Sequence, residues 1–271
     1  MVWWLPWSMI WQGNLLICTK ADNMKIIFNA DDFGYSKGAN LGVIEAYQKG
    51  LVRSTTIMAG MSGFDHAVKL LKENLGLGIG VHLTLTTGKS VGGTYSTITD
   101  DVGGFLPLIE IERRAHAGEL DMAEIEAEYE AQIEKVMDEG IQPDHFDSHH
   151  HTHNLPGIVE VFLRLAKKYD VGVRINDKNL LVGEFADIKT TDVFEEGFHG
   201  DGATAENLRD IIAGCNGSLE IMCHPAYVDN VLLTYSSYNI VRCTELSILT
   251  SYEMMEFVHE GGYELCSFSE I

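Results

Sequence analysis

Short apolar runs alternate with amphipathic helical stretches from Lys25 to the end of this 271-residue chain, and most runs stop at an acid or an imidazole. Strands joined by helical crossovers pair in parallel, and such sheets bury both faces. Strands are expected over Lys25–Ala30, Ser54–Ala59, Leu77–Leu83, His145–Ser148, Val171–Ile175, Leu219–Cys223 and Tyr263–Phe268. Helices are expected from a Ser36 cap to Gly50, and over Phe64–Glu73, Asp121–Glu139, Ile158–Tyr169, Ala205–Ala213 and Ser251–His259. Lys89–Gly118 has no clear period and reads as a long excursion over one rim, and Asp187–Ala205 reads as irregular. No internal repeat or Pro-rich linker divides residues 24–271, so they are expected to form a single α/β domain. A (β/α) barrel and a doubly wound open sheet both satisfy this order, and both gather the strand C-termini at one edge, where active sites sit.

The residues that follow the strands suit metal-dependent hydrolysis. Asp31 and Asp32 end the first run in N-A-D-D-F-G. Adjacent carboxylates repel each other, and a nearby cation removes that cost and lets one act as ligand and the other as base. Taken alone, the pair also suits a turn in which Gly34 supplies the bend. His82 ends the third run in G-V-H-L-T. Asp147-Ser148-His149-His150-His151-Thr152-His153 places four imidazoles in five residues directly after a strand, a density that points to metal. In an extended chain His149, His151 and His153 share a face, whereas in a helix His149 and His153 do. His224 ends the sixth run, and Pro225 fixes the chain just after it. Neither a G-x-S-x-G elbow nor a G-x-x-x-x-G-K-[ST] loop is present, which argues against serine hydrolase and nucleotide chemistry.

Asp and Glu number 40 against 19 Lys and Arg, giving a formal charge of −21. A field of that sign repels phosphate backbones and anionic lipid, so neither nucleic acid nor a membrane is an expected partner; it does suit a protein that holds a cation. The five cysteines, Cys18, Cys215, Cys223, Cys243 and Cys266, are scattered and odd in number, as expected for reduced thiols in the cytoplasm. Residues 1–23 hold all four tryptophans, carry no Lys or Arg before Lys20, and lack an A-x-A cleavage site. They are expected to be an over-extended translation start outside the domain, with Met24 as the true beginning; a degenerate secretion signal is the alternative.

Four segments then occur in a telling order: N-A-D-D-F-G (Asn29–Gly34), G-V-H-L-T (Gly80–Thr84), D-S-H-H-H-T-H (Asp147–His153) and M-C-H-P-A (Met222–Ala226). Together with R-S-T-T (Arg53–Thr56) and Y-E-L-C-S-F (Tyr263–Phe268), they resemble the YdjC-like family of carbohydrate deacetylases, which includes chitooligosaccharide deacetylases. The resemblance runs from Met24 to Ile271. It implies a distorted seven-stranded (β/α) barrel, similar to the wider group of polysaccharide deacetylase and glycoside hydrolase barrels. It implies a divalent metal, usually magnesium, with zinc also suited to the ligands. Asp32, His82 and His149 correspond to the family's metal ligands, Asp31 to its general base and His224 to a candidate general acid. His149 with His153 also satisfies an H-x-x-x-H spacing, so His151 and His153 stay open as ligands, second-layer residues or substrate contacts. Arg174 is a candidate to orient Asp31 or bind substrate. The expected partner is a small acetylated oligosaccharide, and a homodimer is compatible with the chain. The rival readings are another metal-dependent amidase or phosphoesterase, or a non-catalytic module that binds metal or sugar.

Overall fold

Lys25–Phe33 (β1) is buried along almost its whole length, with Ile26, Ile27 and Phe28 all inaccessible to solvent, so the strand lies inside a sheet covered on both faces. The computed structural model describes residues 24–271, and the expectation for residues 1–23 lies outside the described residues. Parallel pairing joins β1 to Ser54–Ile57 (β2), and β2 to Gly78–Leu83 (β3). His145–Ser148 (β4) and Gly172–Val173 (β5) continue that side. On the other side β1 pairs with Leu219–Cys223, and that strand with Val193–Glu195; in chain order these are β7 and β6. The seven parallel strands follow the order β5-β4-β3-β2-β1-β7-β6 and curl into a half-barrel. The curl brings Arg174, just past β5, within hydrogen-bond reach of Glu220 on β7 and Asp31 on β1. A short strand at Glu264–Leu265 (β8) pairs with Lys25 and Ile26. Ile26 meets Leu219 on one side and Leu265 on the other, so β8 uses the edge that β2 takes over from Asn29 onward. The chain end then seats Phe268 against His145, with ring centres 3.8 Å apart.

The helices follow their sequence signals. Lys37–Lys49 (α1) begins at Ser36, whose side chain accepts the Ala39 N–H. Phe64–Glu73 (α2) returns the chain from β2 to β3. Met122–Asp138 (α4) buries Ile125, Tyr129, Ile133 and Val136 at helical spacing and packs beside Ile158–Tyr169 (α5). Glycine on α1 matters at one close approach: a Cβ on Gly42 would lie 2.4 Å from Ala226 Cα. Gly42 therefore lets the segment after His224 pack directly on the helix.

Four elements escape the sequence reading. The excursion over Lys89–Gly118 contains a helix, Leu108–Ala117 (α3). It buries only Ile111 and Ala115, too few to print a period, and it stops at Gly118 with φ +67°. The stretch read as irregular contains β6, three half-buried residues V-F-E with no apolar alternation. The long interval after His224 folds into Asn230–Tyr235 (α7) and Val241–Leu249 (α8). Ala205–Gly214 (α6) and Tyr252–Gly261 (α9) lie where expected. Only Gly172 and Val173 of the expected Val171–Ile175 strand are paired. No helix among the described residues is long and apolar enough to cross a membrane.

Candidate metal centre

Adjacent residues of a regular strand point to opposite faces. Asp31 and Asp32 do not, because the β1–β2 register breaks between Ala30 and Phe33 and Asp32 adopts a left-handed conformation with φ 66°. Asp tolerates that region better than most residues. The bulge turns both carboxylates to the floor of one open cavity of about 470 Å³.

Arg174 grips Asp31 with two prongs, Nη1 to Oδ2 at 2.6 Å and Nη2 to Oδ1 at 2.7 Å. Asn29 donates a third bond to Oδ1 at 2.8 Å. Burial opposes ionisation of Asp31, but the guanidinium outweighs it and holds the carboxyl well below the usual range. Asp32 is tied differently. Its Oδ2 accepts Arg242 Nη2 at 2.6 Å. Its Oδ1 lies 2.9 Å from His149 Nδ1 and 3.4 Å from His82 Nε2, yet it is buried and lacks a well-directed hydrogen bond. Burial again opposes charge, and Arg242 followed by His149 keeps Asp32 ionised.

His82 and Asp147 are register partners on β3 and β4. His82 Nδ1 meets Asp147 Oδ1 at 2.8 Å, which turns Nε2 toward Asp32. Thr56 donates to Asp147 Oδ2 at 3.0 Å, and Arg174 Nη1 lies 2.9 Å from the same oxygen. This carboxylate–imidazole arrangement is how proteins orient a metal-binding histidine. Burial disfavours a charged His82, but Asp147 and Asp32 overcome it and push its pKa up to about 10. The spot at Nε2 thus demands positive charge, which a proton or a cation can supply.

The four clustered imidazoles separate. His149 begins a 3₁₀ segment (His149–Asn154), and His150 and His151 both take positive φ, so neither the extended nor the helical geometry holds. His149 alone turns to Asp32 and His82. His150 lies 2.9 Å from Thr86 Oγ1 at the cavity rim. His151 also lines the cavity, beside Phe194 and 3.5 Å from Glu196. His153 folds back into the core, where Nδ1 meets Ser148 Oγ at 2.6 Å and the ring stacks on Phe162. Among the described residues, Asp32, His82 and His149 form a buried group whose donor atoms all lie within 4.8 Å of one another. The unpartnered Asp32 Oδ1 and the charge demand at His82 both fit a cation there. A second such group, Asp31, His82 and Asp147, has both its carboxylates engaged by Arg174.

His224 stands at the end of β7 on the same cavity. Burial and then Arg242 lower its pKa to about 3, so the ring is neutral near pH 7. Sequence reasoning gave no role to Asp147, Glu220, Arg242 or Glu245. Asp147 carried a readable signal, since it opens the D-S-H run; the others lie on β7 and on the unanticipated α8.

A family model described as YdjC-like protein matches residues 25–260. The chain belongs to the YdjC-like family. A relative from Listeria monocytogenes serotype 4a, named carbohydrate deacetylase, is 44% identical over 251 residues, covering 92% of this chain and 100% of its own. A carbohydrate deacetylase from Brevibacillus brevis is 42% identical over 258 residues with the same coverage. Among solved structures, one described as a putative cellobiose-phosphate cleavage protein, from Enterococcus faecalis V583, superposes with a TM-score of 0.82. It is 31% identical and covers 92% of this chain and 99% of that one.

Proposed function

We propose that this chain is a metal-dependent carbohydrate deacetylase that removes N-acetyl groups from small oligosaccharides, chitooligosaccharides among them. The observation that carries the reading is the convergence of Asp32, His82 and His149 beside an Arg174-clamped Asp31 in one open cavity. The names of the relatives support the carbohydrate deacetylase part.

A divalent cation held by Asp32, His82 and His149 would supply Lewis-acid polarisation of the acetyl carbonyl and would acidify water. Asp31 accepts a proton from the attacking water as its hydroxyl adds to the carbonyl carbon. Its base strength is low because Arg174 stabilises the anion, so its contribution comes from fixed position. As the C–N bond breaks, His224, neutral at rest, takes up the proton that Asp31 accepted from water and passes it to the departing nitrogen, so that acetic acid and a free amine result. Arg174 and Asp147 hold Asp31 and His82 in place. His150 and His151 face the sugar from the rim.

Two imidazoles and one carboxylate suit zinc or a similar transition ion better than magnesium, which prefers oxygen ligands. A two-metal phosphoesterase fits poorly, because both carboxylates of the second candidate group are already engaged by Arg174. The cytoplasm suits the unpaired cysteines Cys215, Cys223, Cys243 and Cys266.

The test is acetate release from N,N′-diacetylchitobiose. The wild-type chain releases acetate, and Asp31→Asn with full metal content releases at least about 100-fold less. Hydrolysis of a phosphate ester without any acetate release would replace this reading with its rival.

A further inference from the structure

Beside the metal centre lies a second buried cluster, built on α8. Glu245 is inaccessible to solvent and sits one turn after Arg242, the residue that grips Asp32. Its Oε2 accepts the backbone N–H of His224. Its Oε1 accepts the Tyr238 hydroxyl and lies 3.9 Å from His224 Nδ1. That Nδ1 is buried and has no hydrogen-bond partner. Tyr238 is fixed in turn: its oxygen accepts the Gly200 N–H at 3.2 Å, and its ring stacks on His199 at 3.9 Å.

We propose that Glu245 is the positioning residue for proton delivery by His224, accepting Nδ1–H so that the bare Nε2 faces the cavity, takes up the proton that Asp31 has accepted from water and passes it to the leaving nitrogen. The inference rests on the role given to His224 above. In an imidazole, the partner of one ring nitrogen decides which tautomer and which orientation the other presents. A hydrogen bond needs the Nδ1–Oε1 gap to shorten by about 1 Å, within reach of a small side-chain rotation. Both oxygens of Glu245 are committed as acceptors, to the backbone of His224 and to Tyr238. A Gln at this position has one acceptor oxygen and cannot serve both. The groups facing His224 are Asp31 and Asp32 on β1, Arg242 and Glu245 on α8, and His199 and Tyr238 on the rim.

The experiment compares an N-acetylated chitooligosaccharide, whose leaving nitrogen needs a proton, with 4-nitrophenyl acetate, whose leaving group does not. His224→Gln serves as the benchmark. Glu245→Gln is expected to lower kcat on the amide by about 10–100-fold with KM within about 2-fold, and to cost far less on the aryl ester. Metal content should not change. The double variant should be no slower on the amide than His224→Gln alone, because the two residues act as one unit. Tyr238→Phe, which leaves the carboxylate in place, should give a smaller loss with the same substrate split. Nitrogen-15 spectra of the wild-type chain should report His224 as the Nδ1–H tautomer. If His224→Gln is amide-selective and Glu245→Gln is not, this proposal is overturned while the deacetylase reading stands. If His224→Gln shows no selectivity, the role of His224 falls and this proposal falls with it. Should Glu245→Gln fail to fold, an Nε2–H tautomer in the wild-type spectrum is sufficient to overturn it.

Discussion

Arg174 faces three buried carboxylates, Asp31, Asp147 and Glu220, and one guanidinium cannot neutralise them all. Glu220 yields: burial raises its pKa to about 7 despite Arg174, and its Oε2 has no partner. The folded value lies above the ordinary 4.5, so the stability carried by this proton is complete below about 4.5 and lost as pH rises through about 7. Glu220→Gln keeps an acceptor for Arg174 and removes the ionisation. Chemical denaturation should find the variant close to wild type at pH 5 and more stable by about 1–3 kcal/mol at pH 8. A difference that does not change with pH contradicts this account of the cluster. The two neighbouring aspartates should separate as cleanly. On the proposed roles, Asp31→Asn loses a base but no ligand, so it should keep its metal and lose turnover; Asp32→Asn should lose both. Equal metal loss by elemental analysis would reject the division of roles.

The helices that the sequence displays plainly are those with a broad buried stripe, such as α4 and α5; those it hides bury few residues or serve the site. Helix α3 prints no period because Ile111 and Ala115 are its only buried positions. Helix α8 buries Arg242 and Glu245 beside Leu246 and Leu249, so charged residues interrupt the apolar pattern just where the element meets the chemistry. The excursion before α3 is ordered by α4: Glu128, fully buried, accepts from Val91 N, Gly92 N and Ser90 Oγ. No local signal announces such a bond, because its partners are 36 to 38 residues apart. Glu128→Ala leaves those donors without an acceptor and should cost about 1–3 kcal/mol. Amide exchange should accelerate over residues 88–106 and stay unchanged in β1. Undiminished protection of that loop would show that α4 does not hold it.

Across the whole molecule, the βα alternation was legible because parallel strands must be apolar on both faces, and the candidate site was legible because its residues follow those strands. Spacing alone did not separate His149 from its three neighbours, although the family resemblance singled it out, because two consecutive left-handed residues, His150 and His151, set the geometry. The bulge at Asp32 was hidden for the same reason. What the alternation and the bulge bring together among the described residues is the group Asp32, His82 and His149 on one cavity, which the proposed function fills with one cation, in a chain whose −21 formal charge favours cations. Acetate release from N,N′-diacetylchitobiose by chelator-stripped protein, followed while zinc is added back, tests this most directly. Activity should start near zero, rise with added zinc, and saturate at one ion per chain in the wild type but stay flat in His149→Ala. Full activity after stripping, or saturation only at two ions per chain, would contradict the account.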